Sequence, residues 1–407
     1  MTDSRKNLDS LVNLYLQQKG NVERRKGNLE LEIRFGTRGY NRINHIQYDN
    51  VIKYLISIGF IRSSTEHYLR VFSEFLDNKT GINKISKIRY EIGGLGKISQ
   101  YCKNDSIDDS IIGKFEQKLI YHHENITNPV DIEDFNFRAS LQEERIMSPN
   151  SDIVRSLVQK WNDTKKIFRY ISRCSLTNEK FPFKVDVSVV KTSKAGYKGL
   201  IPSYRFKDSG LLESNQQYEI EIEFDNNKIS SEMYNPADLV KSLKILIKYV
   251  LSGIQSSPYP IPFSQQSDIK KQYKELIFGK DKDKDKDKDR GKKENIRLYP
   301  KNFIGPSSYT LQIVNTSPIN DNTYIPNIRN NYTVTEKADG DRKLLFITDN
   351  GYIYLIDTNM NIQFTGARSQ NKDLFNTIID GEHILHNKNK MYINLFAAFD
   401  IYFLNKK

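Results

Sequence analysis

Two runs of this 407-residue chain place glutamates at every second position. In Leu29 to Phe35, Glu30, Glu32 and Arg34 share one face of an extended strand, while Leu29, Leu31, Ile33 and Phe35 share the other. In Tyr218 to Phe224, Glu219, Glu221 and Glu223 align opposite Tyr218, Ile220, Ile222 and Phe224. Carboxylates two positions apart on a strand sit about 7 Å from each other and repel. Acids of this kind hold a divalent metal through hard oxygen ligands. Basic side chains recur with the same period elsewhere: Lys87 and Arg89, Lys114 and Lys118, Arg169 and Arg173, and Lys184 flanking Asp186. Those are groups that grip phosphate.

Strands must position them. The runs LELEIRFG, KISKIRYEI, KFEQKLIYHH, FNFRASLQ, IFRYISRCSL, FKVDVSVVK and YEIEIEF all alternate apolar and polar residues. If the apolar faces point outward to covering helices, the polar faces point inward. An antiparallel barrel with a charged interior results, acids at one side and bases at the other. A single acidic strand is ordinarily the solvent face of a sheet. Two such strands near opposite ends of one domain, with basic strands between them, favour the barrel. Helices are fewer. Pro236 to Gly253 carries Leu239, Leu243, Leu246 and Val250 on one stripe with Gly253 as C-cap, and Ile46 to Ile58 is closed by Gly59.

The clearest boundary is Lys280 to Glu294, KDKDKDKDKDRGKKE, which has no apolar residue to bury and reads as a solvated tether. With the Pro-rich stretch Ser256 to Gln266 before it, the chain divides into a body over 1–255, a linker over 256–297 and a second body over 298–407. Lys plus Arg is 62 and Asp plus Glu 50, a net charge of +12 whose sign attracts polyanions. Two cysteines, Cys102 and Cys174, cannot build a disulfide framework. No secretory signal opens the chain and no apolar run is long enough to span a membrane, so a cytoplasmic protein is expected. Gly93-Gly-Leu-Gly-Lys97 lacks the spacing of a phosphate loop and reads as a turn; His122-His123-Glu124 reads as surface, because neighbours on a strand face opposite ways.

The acidic and basic strands together resemble the triphosphate tunnel metalloenzymes, specifically the metal-dependent RNA triphosphatases of fungi, poxviruses and giant DNA viruses. Glu30-Leu-Glu32 matches the first glutamate motif and Glu219-Ile-Glu221-Ile-Glu223 the last. RYISRCSLTNEKFPFKVDVSVVK looks like the family's basic strand followed by its (R/K)-x-D-x-(S/T) strand, here Lys184, Asp186 and Ser188. The resemblance, over residues 25 to 225, implies an α+β chain built on an antiparallel β tunnel with flanking helices. It implies Mg²⁺ or Mn²⁺ on Glu30, Glu32, Glu219, Glu221 and Glu223. Arg34, Lys87, Arg89, Lys118, Arg138, Arg169, Lys184 and Ser188 then hold a triphosphate. Glu221, Arg173 and Asp186 belong to the catalytic set, and a water attacks the γ-phosphorus.

In the second body, Tyr332-Thr-Val-Thr-Glu-Lys337-Ala-Asp339-Gly340-Asp-Arg342 reads as a strand leading to Lys337, a turn at Asp339-Gly340 and a second strand. K-x-D-G-x-R resembles the covalent nucleotidyltransferases, meaning mRNA guanylyltransferases and polynucleotide ligases. Ile378-Ile-Asp380-Gly381-Glu382 and Leu395-Phe-Ala-Ala-Phe399-Asp400-Ile-Tyr resemble the next two motifs, in order. By that resemblance Lys337 attacks the α-phosphate of GTP or ATP, with Asp339, Gly340, Arg342, Glu382 and Asp400 around the nucleotide. The motifs that follow in the family fall beyond Lys407. The expectation is that this chain alone forms the covalent guanylate poorly.

A triphosphatase followed by a guanylyltransferase resembles the mRNA capping enzymes of giant nucleocytoplasmic DNA viruses. Such a resemblance implies 5′-triphosphate RNA and GTP as substrates, a methyltransferase domain or subunit as a further partner, no membrane, and a viral factory or virion as the location. Two alternatives stand beside it: a tunnel phosphatase acting on polyphosphate or nucleoside triphosphates, and a non-catalytic RNA-binding module.

Overall fold

The computed structural model describes residues 2–37, 42–77, 79–107, 113–197, 199–226, 228–229, 235–279, 298–306, 309–318, 325–334 and 337–407, with side chains from residue 7 onward. It divides into two compact units, Met1–Pro258 and Tyr259–Lys407. The charged run 280–294 lies outside the described residues.

The first unit runs α1 (Thr2–Arg24), β1 (Asn28–Phe35), α2 (His45–Ser57), β2 (Ile61–Arg62), β3 (Glu66–Asp77), β4 (Ile82–Gly93), α3 (Leu95–Asn104), β5 (Lys114–Ile120), β6 (Val130–Ile132), β7 (Phe137–Ile146) and α4 (Asp152–Gln159). It continues with β8 (Lys166–Thr177), β9 (Phe183–Thr192), β10 (Ala195–Gly196), β11 (Gly199–Leu200), β12 (Gln217–Phe224) and α5 (Pro236–Gln255). Strands β1, β12, β9, β8, β3, β4, β5 and β7 pair in that order, each antiparallel to the next, and β7 closes on β1 over Asn28–Phe35. The result is a closed antiparallel barrel. Each of the seven alternating runs of the sequence falls in one of its strands; β3, whose polar face mixes Tyr68 and Phe72 with Arg70, is the one the alternation did not single out.

Alternation sets which face is dry. Leu29, Leu31, Ile33 and Phe35 of β1 are buried against Leu11 and Tyr15 of α1, Val51 and Leu55 of α2, and Leu243, Leu246 and Val250 of α5. A second apolar shell covers the other side: Leu69, Val71, Tyr90, Ile92 and Phe168 pack with Ile98 and Tyr101 of α3, Val154 of α4 and Trp161. The hydrophobic layer therefore lies outside the barrel, under the helices, and the polar side chains are left to fill the lumen.

One local expectation is corrected and one is met. Helix α5 runs through Gly253 and ends at Ser256, whose φ is 51°. Gly253 is instead a crossing point: a Cβ there would lie 2.6 Å from the Val51 Cα of α2. Gly94, with φ 89°, ends β4 and opens α3, so the Gly93–Lys97 stretch is a strand-to-helix turn.

The second unit contains α6 (Phe263–Phe278), β13 (Asp341–Ile347), β14 (Tyr352–Asp357), β15 (Ile362–Arg368), β16 (Thr377–His386) and β17 (Tyr392–Phe403), with sheet order β15-β14-β13-β16-β17, all antiparallel. Helix α6 lies within the stretch expected to be linker. Ile269 and Tyr273, four residues apart on its face, are buried with Leu344, Phe346, Tyr354 and Ile378 of the sheet. That burial gives the segment a reason to fold that its Pro-rich and charged flanks conceal. The strand expected to lead into Lys337 is absent where described: Tyr332 to Val334 are exposed and in no strand, and Thr335 and Glu336 lie outside the described residues.

Candidate functional site

The lumen of the first unit is a cavity of about 410 Å³ whose lining includes Glu30, Glu32, Arg34, Arg89, Lys118, Arg169, Arg173, Lys184, Glu221 and Glu223, all singled out in the sequence. It also takes Arg70, Glu91, Lys114, Glu116, Gln142 and Glu144. Strand register sets many unlike groups side by side: Arg34 lies opposite Glu221, Glu223 opposite Lys184, Glu91 opposite both Arg70 and Lys114, Arg89 opposite Glu116, and Lys118 opposite Glu144, although Glu32 also faces Glu223, Glu221 faces Asp186 and Arg70 faces Arg169.

The side chains join these pairs into one alternating chain of charge. Arg70 Nε lies 2.6 Å from Glu91, whose other oxygen is 3.3 Å from Lys114; Lys114 is 3.0 Å from Glu116. Arg89 bridges Glu116 (2.5 Å) and Glu144 (2.8 Å). Lys118 gathers Glu30 (2.9 Å), Glu32 (3.2 Å) and Glu144 (3.4 Å). Arg34 joins Glu32 (3.1 Å) to Glu221 (2.8 Å), and Arg173 joins Glu221 (2.9 Å) to Asp186 (3.0 Å), which Lys184 shares with Glu223. The expected split into an acidic wall and a basic wall is thus corrected. Like charges side by side in a poorly solvated lumen would be left uncompensated, and interleaving removes that cost.

Position decides the ionisation of each acid. Burial works against the Glu221 carboxylate, but the guanidinium groups of Arg34 and Arg173 outweigh it and hold its pKa down to about 2. Glu144 is likewise held at about 2, by Lys118 and Arg89 against burial. Glu30 is pushed up to about 7, chiefly by burial, with the charges of Glu144 and Glu223 adding to it. Glu32 is raised by burial and by Glu221 beside it. Burial and neighbouring acids crowd Glu30 and Glu32, and a hard divalent ion bound there would relieve that crowding. Among the described residues, no three acids stand at ligating spacing, because Lys118 and Arg34 lie between them.

Some singled-out residues stand off the lining. Asp186 and Ser188 are buried behind Arg173, each accepting a hydrogen bond from its guanidinium, and so orient it. Glu219 meets Arg34 and Arg169. Arg138 is forked onto Asp131 and exposed, and Lys87 is exposed midway along β4. His122, His123 and Glu124 are exposed.

In the second unit, β13 and β16 bring the motif residues together. The Gly340 N–H donates to Glu382 Oε1 at 2.8 Å, and a Cβ on Gly340 would lie 2.6 Å from the His383 carbonyl. Arg342 is forked onto the fully buried Asp380 (3.1 and 2.6 Å), donates to the Pro306 carbonyl at 2.6 Å and lies over the Phe303 ring. Tyr402 donates to the same carboxylate at 2.5 Å. Lys337 is exposed, its ammonium 3.2 Å from the Ala338 carbonyl, and Asp400 is exposed in β17 opposite Asp380. Sequence reading missed the buried network of Lys343 with Gln363 (2.8 Å) and His383 (3.0 Å), His383 reaching Asn394 at 2.8 Å.

The family model of the mRNA capping enzyme catalytic domain matches residues 326–407. A probable mRNA-capping enzyme of Acanthamoeba polyphaga mimivirus is 24% identical over 391 residues, covering 90% of this chain and 28% of that relative. This chain therefore spans less than a third of the length of the curated relative. Among solved structures, the triphosphatase of the Mimivirus capping enzyme aligns with a TM-score of 0.35 and 18% identity over 57% of this chain and 96% of that one. The Pct1 RNA triphosphatase of S. pombe aligns with a TM-score of 0.35 and 12% identity over 61% of this chain and 91% of that one.

Proposed function

We propose that this chain carries the first steps of mRNA capping: its first unit releases the γ-phosphate of 5′-triphosphate RNA, and its second unit begins a guanylyltransferase that works through a Lys337–GMP intermediate. The observation that carries the first half is the closed barrel whose interior, rather than exterior, holds the charge. The similarity to a mimivirus capping enzyme and the capping-domain match over 326–407 support the second half.

Phosphoryl transfer asks a protein mainly to position the phosphates and to stabilise the charge that develops on them. Arg34, Arg89, Lys118, Arg169, Arg173 and Lys184 supply that charge from five strands around one cavity. Arg173 has Asp186, Ser188 and Glu221 on three sides, so its fork is fixed before substrate arrives. Glu30, Glu32, Glu219, Glu221 and Glu223 would hold Mg²⁺ or Mn²⁺, which when bound screens the phosphates and polarises the attacked group. Glu221, held at about 2, stays ionised across the physiological range. An entering triphosphate takes over the cations that the lumen acids hold.

The test is release of labelled γ-phosphate from triphosphate-ended RNA with Mg²⁺ or Mn²⁺. Glu221→Ala and Glu32→Ala should each slow it by about 10²- to 10³-fold. Unchanged turnover in both variants contradicts the reading.

A further inference from the structure

Resting on the reading above, we infer that one mouth of the barrel carries a subsite for the RNA chain itself, built from exposed tyrosines and basic side chains around the β10–β11 hairpin. In an antiparallel barrel, the end of β9 and the start of β8 lie at the same rim, and Arg169 pairs with Thr192 there. Glu219 ties this rim to Arg34, since it meets both arginines. The inward-facing row of β8, Arg173, Ile171, Arg169 and Ile167, continues by alternation to Lys165, whose carbonyl accepts from Glu74 N–H as the ladder runs on.

The segment that leaves β9 folds over this rim. Lys166 forms a bridge with Ser203, and Lys194 N–H donates to the Ser209 carbonyl. Tyr197, at the tip of the β10–β11 hairpin, is 104% exposed, and Tyr204 is 52% exposed with the Lys165 ammonium 5.6 Å from its ring centre. Lys194, Arg205 and Lys207 are exposed on the same segment. Two exposed rings, Tyr197 and Tyr204, thus stand on one short segment among the exposed cations Lys165, Lys194, Arg205 and Lys207. Aromatic faces interleaved with cations suit single-stranded nucleic acid, whose bases stack on the rings while its phosphates meet the cations. The triphosphate end lies in the lumen, and the first nucleotides leave past Arg169 and Lys165 to the tyrosines. Free nucleoside triphosphates have no chain to lay on this surface, so it selects RNA.

Binding of a 5′-hydroxyl single-stranded RNA decamer to the whole chain, followed by fluorescence anisotropy, tests the surface without relying on hydrolysis. Tyr197→Ala and Tyr204→Ala should each weaken binding by about tenfold, and Tyr197→Trp should restore it. In hydrolysis, the ratio of KM for ATP to KM for triphosphate RNA should fall by a similar factor in the alanine variants. Decamer binding unchanged in the Tyr197→Ala, Tyr204→Ala double variant overturns the subsite. Failure of the wild type to release γ-phosphate, with decamer binding still lost in the variants, overturns the catalytic reading and leaves the subsite standing.

Discussion

In the first unit, Arg173 meets Asp186, Glu221 and Ser188 inside a closed ring of strands; in the second, Arg342 meets Asp380 on a sheet whose edge strand β17 is exposed over most of its length. The two arginine–carboxylate pairs are alike in geometry but differ in setting. The lumen pair is one link in a chain of charges that runs from Arg70 to Lys184, so most of its ions have partners on two sides. The Arg342–Asp380 pair has only local support, from Tyr402 and the Pro306 carbonyl. A closed barrel allows many charges to be buried because every strand has two neighbours to neutralise it. In the second unit Asp380 is buried under Arg342 and Tyr402, while Lys337, which precedes β13 and lies in no strand, is exposed.

This contrast is most exposed to test by breaking each pair. Arg173→Met leaves Asp186 and Glu221 short of a cation in a lumen and should cost about 3 to 5 kcal/mol, read as faster hydrogen exchange across β8, β9 and β12. Arg342→Met should cost less, about 1 to 3 kcal/mol, because Tyr402 still donates to Asp380. Equal costs at the two sites would remove the distinction.

The outer helical layer is the barrel's counterpart to its charged interior, and Gly253 measures how tightly it fits. Gly253→Val drives a side chain into the α2 backbone at Val51 and should cost about 1 to 3 kcal/mol, with exchange rising in α2 and α5 while the lumen strands stay protected.

Lys166 provides the smallest and most specific check. It sits under Trp161, donating to the Thr164 and Tyr204 carbonyls, and burial pushes its pKa from 10.5 down to about 8. Below pH 8 both folded and unfolded forms are protonated, and the desolvation penalty is fully present. Between about 8 and 10.5 the unfolded form binds more protons, so stability rises with pH across that window. Urea unfolding of wild type and Lys166→Met across that window should show stability rising with pH in the wild type relative to the variant.

Much of the barrel was legible because its strands obey alternation strictly. Leu29, Leu31 and Ile33 mark one face and Glu30, Glu32 and Arg34 the other, and that alone gives the strand and its two faces. The partners were less legible. Glu116 and Glu144 were not singled out, and only strand pairing brings them to Arg89, 27 and 55 residues away: β5 pairs with β4 and β7 with β5. Helix α6 was hidden by its flanks, although Ile269 and Tyr273 carry the four-residue spacing that reveals it. Helix α1 has the same spacing in Leu8, Leu11, Val12 and Tyr15, among polar residues that mask it. In the second unit, β13, β16 and β17 fell where the motifs implied strands, while the approach to Lys337 did not.

The central claim is that the inward-facing cations of the first unit hold a triphosphate. Calorimetric titration of inorganic tripolyphosphate into the whole chain in Mg²⁺ tests it most directly. One ion per chain should bind, with affinity falling at least about tenfold in Arg173→Met and unchanged in Lys244→Met, which alters the outer face of α5. Equal affinity in wild type and Arg173→Met, or equal loss in both variants, would contradict the account.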